Sequence, residues 1–272
     1  MSCPDCYHGS VHEGEPRGTV TQAYGLETYV VEPADGTPPK GIVVIIPDAF
    51  GWAFVNSRLL ADKYADQGGF KVYAPDFMNG RAAPLYMIDD MKIISSSYHF
   101  FHALGGMLPF ITYNWPTRAW PRVKGFFEQL RKEEGASLPV GAAGFCWGGK
   151  QVILLGRGDT IDGRPLMDAG FTGHPSLLSL NSDIENLKLP VSFAVGEHDD
   201  YLSVEKAKAI KAIVEAKPEP ARGELTIYAK SGHGFCVRAD HKFPDSLQQA
   251  DDAAEQCIKW FTAHFSNIAQ PS

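Results

Sequence analysis

The chain has 272 residues, a formal net charge of −7 and 44% hydrophobic residues. An acidic chain without a basic run is not expected to bind nucleic acid or an anionic membrane. The N-terminus lacks the basic and apolar regions of a secretory signal, and no apolar run reaches transmembrane length. The 5 cysteines, an odd number, fit a reducing compartment better than a disulfide framework. Together these features predict a cytoplasmic protein.

Residues 1–18 are predicted to form an extension outside the main fold. They contain Cys3 and Cys6, with His8 and His12 close behind. Two thiols and two imidazoles could bind zinc, but their spacing is not that of a zinc finger, and a thioredoxin-like pair would lie between a strand and a helix. A structural or incidental role is therefore favoured, and we predict neither a metal nor a cofactor.

Apolar runs bounded by turn residues predict strands that alternate with helices. Strands are predicted over 26–32, 41–47, 70–74, 140–145, 168–172, 190–195 and 224–229. Helices are predicted from a cap at Asn56 or Ser57 to Gly68, then over 118–132, 150–155, 203–214 and 245–265. This alternation predicts a single α/β domain, with a doubly wound, mostly parallel sheet and helices on both faces.

Residues 81–121 interrupt the alternation and are rich in aromatic residues and methionine. We predict a partly helical insertion that lies over the carboxyl edge of the sheet. It forms either the lid or wall of an apolar substrate pocket, or ordinary core filling by an extra pair of helices. His99 and His102 lie within it without nearby acidic partners, so packing is favoured over catalysis for both.

The segment Gly144-Phe145-Cys146-Trp147-Gly148-Gly149 lies between a predicted strand and a predicted helix. A glycine-rich turn in this context is typical of a nucleophile elbow, which projects one reactive side chain above a sheet. Its glycines permit strained backbone angles and close contact between strand and helix. The reactive position holds Cys146, for which a buried structural cysteine is the alternative interpretation.

Reactive side chains follow the predicted strands at Asp48, Cys146, Asp199 and His233. The functional groups of an open α/β sheet gather outside the carboxyl ends of its strands, so we expect these side chains to meet. Their order of nucleophile, acid and histidine is that of α/β-hydrolases. Asp200 is the competing acid.

On these residues the chain resembles the dienelactone hydrolase (carboxymethylenebutenolidase) family, over roughly residues 26–265. The segments that carry the resemblance are Ile45-Ile46-Pro47-Asp48-Ala49-Phe50-Gly51, Ala74-Pro75-Asp76-Phe77, the elbow at 144–149, Gly196-Glu197-His198-Asp199 and Gly232-His233-Gly234-Phe235. The N-terminal cysteine pair is similar to that of fungal members. The resemblance implies an α/β-hydrolase fold and hydrolysis of a lactone or ester bond in a small molecule.

The resemblance also implies catalytic roles. Cys146 matches the nucleophile, His233 the base, and Asp199 the carboxylate that orients the imidazole. Asp199 is preferred to Asp200 because it occupies the family's Gly-x-x-Asp position. Asp48 stands where many bacterial members carry a glutamate that contacts the resting thiol, and it is one methylene shorter.

Further positions match the oxyanion and substrate contacts of the family. The backbone N–H groups of Ala49 and Trp147 match the oxyanion donors. Arg81 and Arg238 lie near the positions of arginines that hold the substrate carboxylate in bacterial members, although the local spacing differs. Phe50 and Tyr98 are added as candidate substrate contacts.

Two alternatives stay open. The first is a thioesterase or tailoring hydrolase for bulky aromatic or polyketide-like substrates, which the aromatic insertion motivates. The second is a non-catalytic thiol redox or binding module that uses Cys146 or the pair Cys3 and Cys6. A metal hydrolase is disfavoured, because the histidines near strand ends lack a ligand spacing such as His-Glu-x-x-His.

Overall fold

A mostly parallel sheet forms the centre of the computed structural model, which describes residues 10–90, 97–240 and 244–268. Within these ranges, the side chains of 89, 90, 97–104 and 244 are not described. The strands are β1 (Thr19–Ala23), β2 (Leu26–Val31), β3 (Ile42–Ile46), β4 (Lys71–Pro75), β5 (Val140–Phe145), β6 (Thr160–Ile161), β7 (Arg164–Pro165), β8 (Ala169–Gly173), β9 (Val191–His198) and β10 (Glu224–Gly232).

Eight strands hydrogen-bond in the order β1-β2-β4-β3-β5-β8-β9-β10, and β6 pairs with β7 in a separate hairpin. The six strands β4, β3, β5, β8, β9 and β10, in their spatial order, are all parallel to one another. Strand β2 is antiparallel to both β1 and β4. The central strands β3 and β5 are buried along their whole length. This order confirms the predicted parallel sheet and brings the carboxyl ends of β3, β5, β9 and β10 to one edge.

Helices cover both faces of this sheet. The helices are α1 (Val55–Gly68), α2 (Met87–Asp90), α3 (Ser97–Tyr113), α4 (Pro116–Lys132), α5 (Trp147–Leu155), α6 (Val204–Glu215), α7 (Phe235–Arg238) and α8 (Pro244–Ser266), with a 3-10 turn at Glu134–Ala136 and a π turn at Leu180–Ile184. A Cβ at Gly141 of β5 would lie 2.5 Å from Phe261 of α8, whereas one at Gly144 would lie 2.6 Å from Val152 of α5. Positions an odd number apart in a strand face opposite sides, so α5 and α8 lie on opposite faces.

The start of α1 differs from the prediction. Asn56 and Ser57 lie inside the helix, and its N-cap is Phe54, which makes no side-chain cap. The buried Asn56 instead donates its Nδ2–H to the carbonyls of Ser10 and Val237, each at 2.9 Å. The amide therefore ties the N-terminal segment to the fold, a long-range role that a local capping pattern does not reveal.

Other elements had no signal in the sequence. Strand β1 is almost entirely exposed, so its residues show no alternation between apolar and polar types. The hairpin strands β6 and β7 have two residues each, and α7 has four, which is too short for a periodic pattern.

The predicted insertion, residues 81–121, is largely helical and touches the elbow. It contains α2, α3 and the first part of α4. The Nε1–H of Trp147 donates to the Asn114 carbonyl at 2.7 Å, and the Asn114 amide donates to the Arg81 carbonyl at 2.8 Å. The end of α3 is thereby fixed against the turn that carries Cys146.

Several large apolar side chains are exposed on the described part of the insertion. Its large, exposed hydrophobic side chains are Leu85, Tyr86, Leu108, Ile111, Tyr113 and Trp115. The side chains of Tyr98, His99 and His102 lie outside the described residues, so the predictions for them stay predictions. In the part of the chain that the structure describes, no helix has both the length and the apolar character needed to cross a membrane.

Candidate active site

Cys146 lies at the turn between β5 and α5, and its backbone is strained. Its φ is 51° and its ψ is −110°, a conformation that costs a non-glycine residue on the order of 1–3 kcal/mol. Three hydrogen bonds offset this strain. The Cys146 N–H donates to the Gly173 carbonyl at 3.2 Å, and the Cys146 carbonyl accepts from Gly149 and Ser176, each at 3.1 Å.

Two glycines allow the elbow to pack against the sheet. A Cβ at Gly144 would lie 2.3 Å from the carbonyl oxygen of Gly148, and one at Gly148 would lie 2.0 Å from that of Ile46. Real Cβ atoms do not approach other atoms this closely. Only glycine therefore lets α5 begin directly above β3 and β5.

Gly148→Ala is expected to destabilise the protein by about 3 kcal/mol or more, because the new methyl group would collide with main-chain atoms that cannot move aside. Gly125→Ala in α4 is the matched control, since nothing lies within 4 Å of a Cβ there. It is expected to stabilise the protein by about 0.5–1 kcal/mol through helix propensity. Urea unfolding measures both variants, and a Gly148→Ala protein as stable as the wild type would contradict the close packing of the elbow.

Asp199 and His233 form a buried pair at the ends of β9 and β10. The Nδ1 atom of His233 lies 3.0 Å from each carboxylate oxygen of Asp199, and both side chains are fully buried. The carboxylate is itself held by the backbone, because the Tyr201 N–H donates to its Oδ1 at 2.9 Å. Asp200, the competing acid, is exposed.

His233 is coupled electrostatically to Cys146. Burial lowers the pKa of His233, but the negative charge on Cys146 and the hydrogen bond to Asp199 outweigh it and raise the pKa to about 10. A side-chain contact with Cys146 also raises this pKa, although the other ring nitrogen, Nε2, is buried and makes no hydrogen bond of standard geometry with the described residues. Such bonds often tighten only when substrate binds. An imidazolium beside a thiolate is the arrangement that supplies a nucleophilic sulfur at neutral pH.

Asp48 and Arg238 form a second buried pair beside the thiol. The Nη1 atom of Arg238 donates to Oδ2 of Asp48, and the Phe50 N–H donates to Oδ1 at 3.0 Å. Burial raises the pKa of Asp48, the positive charge of Arg238 lowers it, and the charge on Cys146 raises it again, with a net rise. The carboxyl of Asp48 therefore senses the ionisation of Cys146, while its direct partner is an arginine.

Arg238→Met is expected to destabilise the protein by about 3–5 kcal/mol at neutral pH, because it leaves a buried carboxyl without its partner. An Asp whose folded pKa exceeds its unfolded value contributes stability at low pH, and this contribution is lost as the pH rises through the folded pKa. Loss of Arg238 raises that pKa further, so the penalty should grow between pH 5 and pH 8. Urea unfolding at the two pH values measures it.

The double variant Asp48→Asn/Arg238→Met is the control for this pair, since it removes the unpaired charge and should recover part of the stability. A penalty for Arg238→Met that does not change with pH would contradict an ionic role for Asp48.

The backbone N–H groups of Ala49 and Trp147 lie at the ends of β3 and β5. Trp147 is the first residue of α5, where helix N–H groups lack partners and carry partial positive charge. Across residues 10–90, 97–240 and 244–268, neither N–H donates a hydrogen bond. The carbonyl of Ala49, which belongs to the next peptide unit, accepts a hydrogen bond from the Ala83 N–H at 2.7 Å. Both N–H groups are therefore available as hydrogen-bond donors, and their role as oxyanion donors stays a prediction.

The predicted substrate contacts are in different environments. Arg238 is buried against Asp48, and its guanidinium lies 5.1 Å from the centre of the buried Phe50 ring. Arg81 is exposed and stacks on Tyr113 at 3.9 Å. Because Arg238 is buried, we expect its ion pair with Asp48 to be structural. Direct contact between substrate and any of these side chains stays a prediction.

Three further residues contact the pair of Cys146 and His233, and the sequence assigned them no role. The Sγ atom of Cys146 lies 3.7 Å from Oγ of Ser176. The ring of His174 lies 5.0 Å from that of His233 at 79°, and that of Tyr201 lies 4.7 Å away on a tilted plane. Burial holds the pKa of His174 well below its ordinary value, so this imidazole is neutral. His174 and Ser176 follow β8, whose carboxyl end reaches the same edge of the sheet. Their position after this strand is the feature of the sequence that could have marked them as candidate site residues.

The described residues contain no group of three or more His, Cys, Asp or Glu side chains that could hold a metal. Cys3, Cys6 and His8 lie outside these residues. The Nε2 atom of His12 lies 3.2 Å from the carbonyl oxygen of Ala239.

Comparison with known proteins identifies the relatives of this chain. The model of the dienelactone hydrolase family matches residues 26–265. Hydrolase tropI of Talaromyces stipitatus is 30% identical over 267 residues, covering 97% of this chain and 96% of that protein. Dienlactone hydrolase 1 of Gibberella moniliformis is 26% identical over 258 residues, covering 94% and 91%.

Solved structures extend this similarity to the fold. A putative dienelactone hydrolase from Klebsiella pneumoniae superposes with a TM-score of 0.62 at 19% identity, covering 92% of this chain and 98% of that one. At this identity the similarity concerns the fold alone, and it confirms the α/β-hydrolase fold. The family match spans most of the sequence and includes every strand of the large sheet except β1. The chain belongs to the dienelactone hydrolase family.

Proposed function

We propose that this hydrolase cleaves a lactone or ester bond through an acyl-enzyme on Cys146. His233 serves as the acid and base, and Asp199 orients its imidazole. The observation that carries the proposal is the buried pair of Asp199 and His233, with Nδ1 3.0 Å from both carboxylate oxygens and a pKa coupled to Cys146. This is the division of roles in a catalytic triad.

Acylation begins with the thiolate of Cys146. It attacks the carbonyl carbon, and the electrons of the C=O bond move to oxygen, where the N–H groups of Ala49 and Trp147 stabilise the charge. One such donor contributes about 10²–10³ in rate. The intermediate then collapses, the acyl C–O bond of the lactone or ester breaks, and the imidazolium of His233 gives its proton to the departing oxygen. The product of this half-reaction is a thioester.

Deacylation uses the now neutral His233 as a base. It takes a proton from water as the water attacks the thioester, and the C–S bond breaks to release the acid. The thiolate and the imidazolium are thereby restored. The two half-reactions consume one ester bond and one water molecule, with no oxidant or cofactor required.

The remaining predicted residues have proposed roles around this cycle. Asp48 is proposed to modulate when the thiol ionises, since its carboxyl is coupled to both Arg238 and Cys146. Arg81, Phe50 and Tyr98 are proposed as substrate contacts, as is Arg238 if its ion pair opens. We propose a cytoplasmic location, in keeping with the free, buried thiols of Cys236 and Cys257.

A substrate panel tests the proposal. The purified protein is assayed with a small dienelactone, a neutral aromatic lactone, a p-nitrophenyl ester and a bulky acyl thioester, and kcat/KM is compared. Turnover of lactones or oxygen esters is the expected result. Failure with all four, combined with alkylation of Cys146 at the rate of an ordinary thiol, would support the non-catalytic module instead.

A thioesterase or tailoring hydrolase for bulky substrates is the second candidate. The observation that favours it is the set of exposed apolar side chains on the insertion, which includes Leu108, Ile111 and Trp115. A higher kcat/KM for the bulky acyl thioester than for the small dienelactone would select this candidate.

A further inference from the structure

Ser176 contacts the reacting sulfur from the loop that follows β8, a strand whose end supplies none of the three proposed triad residues. Its Oγ atom lies 3.7 Å from Sγ of Cys146, and both side chains are buried. The Ser176 N–H also donates to the Cys146 carbonyl at 3.1 Å. One residue therefore holds both the backbone and the side chain of Cys146, which fixes its hydroxyl beside the sulfur.

The charges around the sulfur make a neutral donor useful. A buried thiolate needs compensation, because transfer from water to a protein interior is costly for any ion. His233 supplies a positive charge, with Asp199 behind it. The positive charge of Arg238 is directed at Asp48, whose own charge opposes the thiolate. His174 is buried beside His233 and neutral. A hydroxyl can hydrogen-bond to sulfur in either ionisation state, since it both donates and accepts.

We infer that Ser176 is a further catalytic residue, whose hydroxyl stabilises the thiolate of Cys146. In the thiol form of Cys146, the S–H group donates to Oγ of Ser176. When the S–H bond breaks and the proton passes to Nε2 of His233, the hydroxyl rotates and donates its own hydrogen to the sulfur. Ser176 keeps its proton throughout. This inference rests on the proposed role of Cys146 as nucleophile.

The test is the pH dependence with which iodoacetamide alkylates Cys146, followed by peptide mass spectrometry. Ser176→Ala should raise the midpoint by about one pH unit and slow alkylation about tenfold at pH values well below that midpoint, because the thiolate loses a charge-assisted hydrogen bond. Ser176→Thr, which keeps a hydroxyl, should restore most of the wild-type profile. Cys236 and Cys257 do not interfere, since their peptides are distinct and burial raises the pKa of both thiols.

Ser192→Ala is the matched control. Ser192 is also buried and hydrogen-bonded, to Glu224 at 2.8 Å, but it lies near the opposite end of β9 from Asp199. This variant should leave the midpoint unchanged. Ser176→Gly is measured alongside, so that a folded protein without the hydroxyl is available if the alanine variant does not fold.

Unchanged midpoints in the variants without the Ser176 hydroxyl, or an equal shift in Ser192→Ala, would overturn the inference. Failure of the proposed function gives a different result. In that case Cys146→Ala retains full turnover, whatever the alkylation profile of the Ser176 variants.

Discussion

Cys146→Ala is expected to lower kcat/KM for lactone or ester hydrolysis by about 10⁴-fold or more. Removal of the nucleophile leaves only substrate binding and the oxyanion donors, which accelerate hydrolysis modestly over water. The effect should appear in kcat rather than in KM, because the sulfur acts on the bond being broken. Steady-state kinetics with the best substrate of the panel provides the measurement.

Cys257→Ala is the control for this variant. Cys257 is a fully buried free cysteine in α8, outside the proposed machinery. Its replacement should cost some stability and leave kcat/KM within a few-fold of the wild-type value. Circular dichroism and thermal unfolding check that both variants fold. Wild-type turnover by a folded Cys146→Ala protein would contradict the assignment of Cys146 as the nucleophile.

Asp199→Asn is expected to lower kcat by about 10³–10⁴-fold, because an amide no longer stabilises the imidazolium and can favour the wrong tautomer of His233. The raised pKa of His233 depends partly on its hydrogen bond to Asp199. The variant should therefore also lower the pKa of His233, which NMR titration of the imidazole can follow. The shift in pKa distinguishes lost electrostatic support from a general loss of folding.

Asp200→Asn is the matched control, since it makes the same chemical change at the adjacent, exposed residue. Its kcat and its imidazole titration should stay close to those of the wild type. If Asp200→Asn lowered kcat more than Asp199→Asn, Asp200 would be the acid of the triad, and the buried pair of Asp199 and His233 would not be the catalytic one.

Much of the sheet could be predicted because buried strands consist of apolar or small residues, a pattern that is visible in the sequence. Strands β3 and β5 are buried on both faces and read as continuous apolar or small residues. The acid and the histidine could be placed because parallel strands end at one edge, where Asp199 and His233 meet. Strand β1 could not be found, since an exposed strand at the sheet edge has no apolar pattern.

The contacts around the thiol depend on distances in the folded chain. Arg238 pairs with Asp48 although 190 residues separate them, and the sequence indicated only that each lies near a strand end. Ser176 follows β8 at a position that predicts proximity to the edge, but its contact with Cys146 depends on the conformation of one loop. Asn56 is a second example of a contact that the sequence does not reveal. Asparagine is a common capping residue, but here its side-chain amide donates to the distant carbonyls of Ser10 and Val237.

Mass spectrometry of the enzyme quenched during turnover tests the central claim most directly. A slow ester substrate should leave its acyl group on the peptide that contains Cys146, and hydroxylamine should remove this adduct because a thioester is cleaved readily. In the Cys146→Ser variant the same peptide should show the same added acyl mass, now bound as an oxygen ester that resists hydroxylamine. An acyl group on another residue, or turnover without any adduct under conditions where deacylation limits the rate, would contradict nucleophilic catalysis by Cys146.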